Sequence, residues 1–402
     1  MPHAIGAVRE HTLNTPGIKL GLLFFLAAII AISPLAIDMY LPAMPSIASS
    51  LSTSTALVQQ TMSLYLAGYA VGMLLLGPLA DKWGRKYILR LGLGGFLIAS
   101  LLISVCSDIN HFLALRFMQA FFGAGATVVV PGYIRQIYGQ HTAKGMSYVS
   151  LIMMIAPLVA PAIGAGLLKI SHWPAIFALL TLYAMVLLSL TWVLTLPPMS
   201  NSPQESISYL GRYRRVFSTP GILGLIANSM LSSFAFFTYL TAAPIMYMSI
   251  IGISADHFAV LFAVNVGALM LANVINSRIV GKFGSLRILT IAASTGFIIT
   301  LLMIAASLWS MTSSLMLLVP PLMLCIGMMS VNADSMVLMR FNQDSGTATA
   351  VMGTLKFGGG SLAGPLLAMA PNQLWPFPLL LCVSLLVVLS NCILYCGRKP
   401  LK

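Results

Sequence analysis

The residues of this sequence that could do chemistry are its carboxylates, because so few of them stand in apolar surroundings. The 402 residues include 8 Asp and Glu against 21 Lys and Arg. Only Asp38 and Asp334 fall within long apolar segments, where an ionisable group costs roughly 2.5–3.5 kcal/mol. Each should therefore face a cavity and have a partner. A buried carboxylate that releases its cation when it is protonated can carry a proton.

Asp38 has one candidate partner in its own half of the chain. It lies near the end of the first apolar segment, and Arg116 lies near the start of the fourth, so the two come to a similar depth. We predict that Asp38 couples proton movement and that Arg116 faces the same cavity and pairs with it. The alternative is a structural cap or interface role for Asp38 and a purely structural pair for Arg116.

Asp334 is the second carboxylate at membrane depth, on the tenth apolar segment. It could be a second proton site or bind a cationic substrate, or it could pair with Arg340 or Arg278 at the inner rim. Lys356, in the eleventh segment, is predicted to snorkel or to pack between helices and not to contact a ligand.

The segments that must position these groups are membrane helices. The chain is 59% hydrophobic and 7% charged, with a mean hydropathy of +0.96, whereas soluble proteins are roughly 45–50% apolar and about 25% charged. At about 20 residues per span the length allows about twelve helices. The sequence predicts an all-α membrane protein of twelve transmembrane helices, and we expect the lipid bilayer to surround it.

The net charge of +13 does not require a nucleic-acid partner. Apart from Arg116, Lys169 and Lys356, every Lys and Arg stands in a segment that the alternation of the predicted helices places on one and the same side of the membrane. By the positive-inside rule that side is the cytoplasm, and both termini lie there. We therefore predict a multi-pass protein of the bacterial cytoplasmic (inner) membrane, without nucleic-acid binding.

The predicted helices fall into two halves. We predict a cytoplasmic N-terminal tail at 1–18, a six-helix bundle at 19–197, a Ser-rich linker at 198–219, a second six-helix bundle at 220–397 and a tail at 398–402. The turn at 77–86 has a counterpart at 276–287, in the same place of the second half. Such a repeat predicts two pseudo-symmetric bundles with a site between them near the midplane.

A basic turn joins the second and third predicted helices. Residues 77–86 read Gly-Pro-Leu-Ala-Asp-Lys-Trp-Gly-Arg-Lys, which resembles the corresponding loop of the major facilitator superfamily. The resemblance implies a conformational gate made by Gly77, Asp81, Gly84, Arg85 and Lys86. Asp81 would face the positive end of the eleventh helix in the outward-open state, and the two glycines would permit a tight turn.

Two further stretches narrow the resemblance. The fifth helix contains Pro157, Pro161, Gly164 and Gly166, similar to the signature of drug:proton antiporters; small residues let helices approach and prolines let them bend. A generic kinked helix is the alternative. Residues 37–45 resemble the bicyclomycin-resistance (Bcr/CflA) branch. One departure is Gln136, which stands where the family usually has Asp, so a relay from that carboxylate to Arg85 is in doubt.

The resemblance implies export of small, often amphipathic compounds, driven by inward proton flow through alternating access. The alternative is a transporter of the same fold for one physiological solute, such as an amino acid, a siderophore or a sugar. We expect no enzyme activity, because no segment holds a clustered metal set or a Ser–His pairing. We also expect no metal or cofactor, and a monomer whose partners are a small-molecule substrate and protons.

Polar and aromatic groups inside the predicted helices are candidates to line the substrate cavity, although aromatic residues in such helices are more often packing residues. Tyr65 and Tyr69 are four residues apart and so share a helix face. The candidates are Tyr40, Gln59, Tyr65, Tyr69, Gln119, Asn228, Phe236, Tyr239, Asn265 and Asn332.

Overall fold

The computed structural model describes residues 16–139, 142–197, 209–341, 345–371 and 373–397. The predicted tails, up to residue 15 and from residue 398, and residues 198–208 of the predicted linker lie outside these described residues. The part of the linker that is described forms a short helix, Tyr209–Ser218. The predicted boundaries between tails, bundles and linker stay predictions.

The first half contains six long helices. The fourth is interrupted at Val129 and continues as Val130–Tyr138, and the first is followed by two short helical turns, Leu41–Ala43 and Met44–Ser50. The six are α1 (Pro16–Asp38), α2 (Thr55–Trp83), α3 (Arg85–Ser104), α4 (Ile109–Val128), α5 (Thr142–Ile170) and α6 (Pro174–Val193).

The second half repeats this count. Its first helix is extended by a π-helical turn, Ile245–Ile250, and its fifth is followed by a short helix, Ala363–Leu367. The six are α7 (Ile222–Pro244), α8 (Ala255–Phe283), α9 (Ser285–Leu308), α10 (Thr312–Leu338), α11 (Ser345–Gly360) and α12 (Pro376–Gly397).

The predicted fold class is confirmed. Within the described residues, ten helices are long and apolar enough to cross a membrane. Helix α5, with an apolar stretch over Ile155–Ile170, and helix α11 complete the set of twelve. The interior of a bilayer offers no water to bond with backbone N–H and C=O groups, and a helix satisfies these groups within one segment.

Helices α2 and α8 show the repeat most clearly, since both are 29 residues long. Ser54 and Ser254 cap their N-termini by accepting from a backbone N–H in the first turn. Gly84 and Gly284 end them with φ of 98° and 75°, which favours glycine. We call the end of the molecule that carries these two glycines the basic end and the other the opposite end.

The turn predicted over residues 77–86 is shorter than expected. Helix α2 continues through Gly77 and Asp81 to Trp83, so the reversal takes place at Gly84 alone. The prediction that Gly77 permits the turn is wrong, because this residue is helical and a Cβ there would make only an ordinary contact with Val128.

The two halves contact each other through equivalent helices. Within the halves, α4 packs against α2 and α3, and α10 packs against α8 and α9. Between the halves, α2 packs against α11 and α5 packs against α8. Because α2 corresponds to α8 and α5 to α11, these two contacts are related by the repeat. These four helices supply the main contacts between the halves.

The Pro/Gly stretch of α5 makes one very close approach. A Cβ at Gly164 would collide with the backbone carbonyl of Met39 at the end of α1, whereas a Cβ at Gly166 would meet nothing. Pro157 and Pro161 both lie inside α5. Of the two glycines, only Gly164 is required for α1 and α5 to pack.

This difference gives a matched pair of substitutions with opposite expected signs. Gly164→Ala should lower stability by about 1–3 kcal/mol, because backbone must shift to admit the methyl group. Gly166→Ala should leave stability unchanged or raise it by about 0.5–1 kcal/mol, since glycine weakens a helix interior. Thermal denaturation of the purified proteins in detergent, followed by size-exclusion chromatography, measures both. Equal melting temperatures for the two variants would contradict the close packing.

Candidate functional site

Arg116 on α4 lies at the centre of the first half and is fully buried. Its guanidinium carbon lies 4.2 Å from the ring centroid of Tyr40 and 4.4 Å from that of Tyr65. Its Nη1 donates to Oε1 of Gln119 at 2.7 Å and to the carbonyl of Ala36 at 3.1 Å. The cation is therefore held by aromatic faces and neutral oxygens.

The predicted ion pair between Asp38 and Arg116 does not form. Arg116 reaches α1 at the backbone carbonyl of Ala36, two residues before Asp38, and among the described residues it makes no ion pair with the Asp38 carboxylate. Asp38 is only 3% exposed, and its Oδ1 has no hydrogen-bond partner among the described residues. The sequence fixes the depth of the two groups but not their direction.

Several buried polar atoms around Asp38 and Arg116 lack a partner in the part of the chain that is described. Such atoms are rare in native proteins, and a concentration of them calls for an explanation such as a bound water, ion or ligand. They are Ser33 Oγ, Asp38 Oδ1, the Tyr65 hydroxyl, and Arg116 Nε and Nη2. We call this group the Asp38 cluster.

The Asp38 cluster lies beside the second half of the molecule. The turn Leu41–Ala43, which follows Asp38, contacts α8 of the second half. The Tyr239 hydroxyl accepts from Nδ2 of Asn265 at 2.9 Å. The end of α1 that carries Asp38 and the pair of Tyr239 and Asn265 thus lie near the boundary between the halves.

Some of the other cavity candidates bond to close neighbours. The hydroxyls of Tyr40 and Thr61 lie 3.1 Å apart, and those of Tyr69 and Thr127 lie 2.8 Å apart. The Tyr69 ring also lies 4.3 Å, centroid to centroid, from Phe357 on α11. Tyr69 is therefore part of the contact between the halves.

Three candidates of the second half have roles within that half. Nδ2 of Asn332 donates to Asn276 at 2.6 Å and joins α10 to α8. Asn228 accepts from Asn391 at 3.2 Å and joins α7 to α12. Phe236 packs against Phe237 on its own helix, with ring centroids 5.7 Å apart. The structure does not bring these three into the Asp38 cluster.

The halves are closed against each other at the opposite end. Lys169, at the end of α5, pairs with Asp256, at the start of α8, at 2.9 Å. Nε2 of Gln59 donates to the carbonyl of Thr241 at 2.9 Å, linking α2 to α7. The backbone N–H of Gly364 donates to Ser63 Oγ at 2.9 Å. We infer from these contacts that this mouth of the interface between the halves is closed.

At the basic end the predicted gate residues make a different set of contacts. Arg85 donates to the backbone carbonyl of Gly132 at 3.2 Å. This partner is a main-chain group and not a carboxylate at position 136, where this chain has Gln136. Among the described residues, Asp81 has no hydrogen bond or ion pair, and Lys86 is exposed. The contact between Asp81 and α11 is predicted for the outward-open state and stays a prediction.

Asp334 pairs with Lys356 and with neither Arg340 nor Arg278. Lys356 Nζ lies 2.5 Å from Oδ2 of Asp334, and Ser229 Oγ donates to Oδ1, also at 2.5 Å. Arg340 donates instead to the hydroxyl of Tyr395. Three helices, α7, α10 and α11, thus meet at one carboxylate.

The prediction for Lys356 missed this pairing. The sequence contained a signal for it, since Lys356 and Asp334 are opposite charges at membrane depth in the same half. Two charges that cannot be left unpaired in one apolar bundle are expected to find each other.

Comparison with known proteins gives consistent results. A family model described as Major Facilitator Superfamily matches residues 26–365. A bicyclomycin resistance protein homolog of Haemophilus influenzae is 32% identical over 346 residues, covering 83% of this chain and 85% of that protein. The multidrug resistance protein MdtL of Salmonella heidelberg is 29% identical, covering 83% and 85%.

Solved structures support the fold alone, because their sequence identity is low. A bacterial homolog of the human lysosomal transporter Spinster, in an inward-facing and occupied conformation, has a TM-score of 0.74 at 13% identity and covers 96% of this chain and 97% of that chain. The nucleoside transporter NupG has a TM-score of 0.72 at 14% identity, covering 96% and 100%.

The pair between Lys169 and Asp256 can be tested by charge reversal. Its side chains are 63% and 53% exposed, so losing the pair should weaken the closed state by up to about 1 kcal/mol. Each single reversal, Lys169→Asp or Asp256→Lys, adds repulsion between two like charges to this loss. The double reversal should restore it. Pulsed electron paramagnetic resonance between spin labels at Ser107 and Met311, in a cysteine-less background, would show longer distances in the single variants only.

The same experiment has a salt control. An exposed pair is screened at 1 M salt, so the intact protein should then approach the single variants. Unchanged distances in both single variants would show that the pair does not contribute to closure.

Proposed function

This chain belongs to the major facilitator superfamily, and on that premise we propose that it exports small, amphipathic compounds from a bacterial cell in exchange for protons. The bicyclomycin-resistance homolog and the multidrug resistance proteins among its relatives support this function. The transporter would lie in the cytoplasmic membrane, act as a monomer and need no cofactor, because the proton gradient drives it.

The sides of the membrane follow from the distribution of positive charge. The basic end carries Lys82, Arg85 and Lys86 in one half and Arg278, Lys282 and Arg287 in the other, and such clusters stay in the cytoplasm. Both termini then lie in the cytoplasm. The contacts at the opposite end close the periplasmic mouth, so this state receives its substrate from the cytoplasm.

One observation carries the proposal of proton coupling: Asp38 is buried at the end of α1, and no cation pairs with it among the described residues. An unpaired buried charge is expensive, and binding a proton removes that cost. Arg116 lies on the neighbouring helix with two of its nitrogen atoms unsatisfied. When Asp38 loses its proton to the cytoplasm, the guanidinium supplies the attraction that the carboxylate then requires.

The exchange follows from the two states. With the periplasmic mouth open, Asp38 takes a proton from outside and the substrate leaves. With the cytoplasmic mouth open, Asp38 releases that proton and a new substrate enters. The cage of Tyr40, Tyr65 and Gln119 keeps Arg116 in place throughout, since its contacts are all within one half.

Asp81 has its role in the state that is not seen here. When the periplasmic mouth opens, the basic ends of the halves must approach, and Asp81 would then meet the N-terminus of α11. The partial positive charge of a helix N-terminus favours a carboxylate. The unpaired Asp81 of the present state is consistent with a gate that is open.

A transporter for one physiological solute is the alternative. It has the same fold and the same coupling, and differs only in the breadth of its substrates. A panel of cationic, neutral and zwitterionic compounds separates the two, since a dedicated transporter would respond to one chemical class.

Asp38→Asn tests the coupling directly. In inside-out vesicles with an acidic lumen, addition of a transported compound should make the lumen more alkaline, because protons leave as the compound enters. The variant should lose this response, since an amide cannot bind and release the proton. A lumenal pH-sensitive dye measures it.

Asp108→Asn is the matched control. Asp108 caps the N-terminus of α4 by accepting from the backbone N–H groups of Asn110 and His111, and asparagine caps a helix equally well. This variant should respond like the intact protein. A normal response from Asp38→Asn would assign a structural role to Asp38 and move the proton site elsewhere.

A further inference from the structure

The ion pair between Asp334 and Lys356 lies outside the proton-coupling cluster and has no role in the mechanism above. We propose that it is a substrate subsite in which Lys356, held in place by Asp334, binds a carboxylate or another strong hydrogen-bond acceptor of the exported compound. The inference rests on the proposed function, because it names the class of substrate that this transporter takes.

Asp334 already has a cation as its partner. Its Oδ1 accepts from Ser229 and its Oδ2 from Lys356, each at 2.5 Å. A positively charged ligand would have to displace the Lys356 ammonium and would then be repelled by it. The carboxylate therefore serves to fix the position of the lysine.

Lys356 has donors to spare. An ammonium group has three N–H donors, and the described residues use one of them. The Lys356 side chain is 18% exposed and that of Asp334 is 30% exposed, so a ligand can reach the pair. Since the halves are sealed at the opposite end, access is from the basic end, the side from which substrate enters.

The residue that follows Lys356 on α11 belongs to an aromatic contact between the halves. The neighbouring residue, Phe357, packs against Tyr69 of the first half at 4.3 Å and against Phe237 on α7 at 5.1 Å, between ring centroids. Small-molecule sites typically combine such apolar walls with a few polar groups that fix orientation. A compound with an aromatic body and an electronegative group fits this arrangement.

Stability alone does not account for the pair. Replacing a buried ion pair by apolar residues of similar volume is often neutral or stabilising, whereas removing one partner is costly. A purely structural site in a membrane bundle is therefore served as well by two apolar residues. A partly exposed pair with unused donors points to a ligand.

The experiment uses three compounds that share a naphthalene ring: 1-naphthylacetic acid, 1-naphthylacetamide and 2-(1-naphthyl)ethylamine. Binding to purified protein is measured by equilibrium dialysis at one pH, so that it does not depend on proton coupling. The intact protein should bind the acid and the amide more tightly than the amine. Lys356→Met should weaken binding of the acid roughly tenfold or more, because a hydrogen bond to a charged group is lost.

Further variants test how the charges at residues 356 and 334 set the preference for the acid over the amine. Lys356→Arg should retain the preference for the acid. Asp334→Asn keeps an oxygen that can accept from Ser229 but removes the negative charge beside Lys356, so it should strengthen binding of the acid and weaken that of the amine. The double variant Asp334→Leu with Lys356→Met should fold and should show no preference for the acid.

The outcome that overturns the inference is clear. If both single variants weaken all three compounds equally and the double variant restores them, the pair is structural. Thermal stability of each variant, measured in detergent, separates a folding defect from a change of preference. Asp38→Asn is expected to keep the preference for the acid, so a failure of proton coupling and a failure of this subsite are distinguishable.

Discussion

The central interaction of the structure is the burial of the Arg116 guanidinium inside the first half. Arg116 cannot give up its proton, so the first half must surround a permanent charge with ring faces and neutral oxygens. Much else follows from this requirement. It fixes Tyr40 and Tyr65, engages Gln119, and connects α4 to the last turn of α1. It also leaves Asp38 nearby but unbonded, as a group whose charge is free to change.

The two halves use the same scaffold for different electrostatic purposes. In the first half the carboxylate and the cation are kept apart, and buried polar atoms remain unsatisfied. In the second half Asp334 and Lys356 are joined, and each oxygen of the carboxylate accepts a hydrogen bond. Separated charges suit a group that must change its protonation state, while joined charges suit a site whose charge should stay constant. A repeat of helices therefore does not imply a repeat of chemistry.

Helix number, helix type and the internal repeat could be predicted from the sequence, because hydropathy and capping residues act along the chain. The pairs Ser54 with Gly84 and Ser254 with Gly284 bound two helices of equal length, and each pair is visible as a local signal. What could not be predicted is direction around a helix axis. Their similar depth predicted that Asp38 pairs with Arg116, but the guanidinium bonds to the carbonyl of Ala36, two residues before Asp38. Likewise, the meeting of α7, α10 and α11 at Asp334 depends on the rotation of three helices.

The seal at the opposite end is built partly from main-chain atoms of the second half. Gln59 bonds to the carbonyl of Thr241, and Ser63 bonds to the amide of Gly364. A carbonyl persists whichever side chain stands at residue 241, so mutations there do not remove the acceptor. An exporter under selection by new toxic compounds has to vary its pocket without letting protons leak back across the membrane. A barrier that uses backbone groups permits this, because the side chains that line the pocket can change while the proton gradient is maintained.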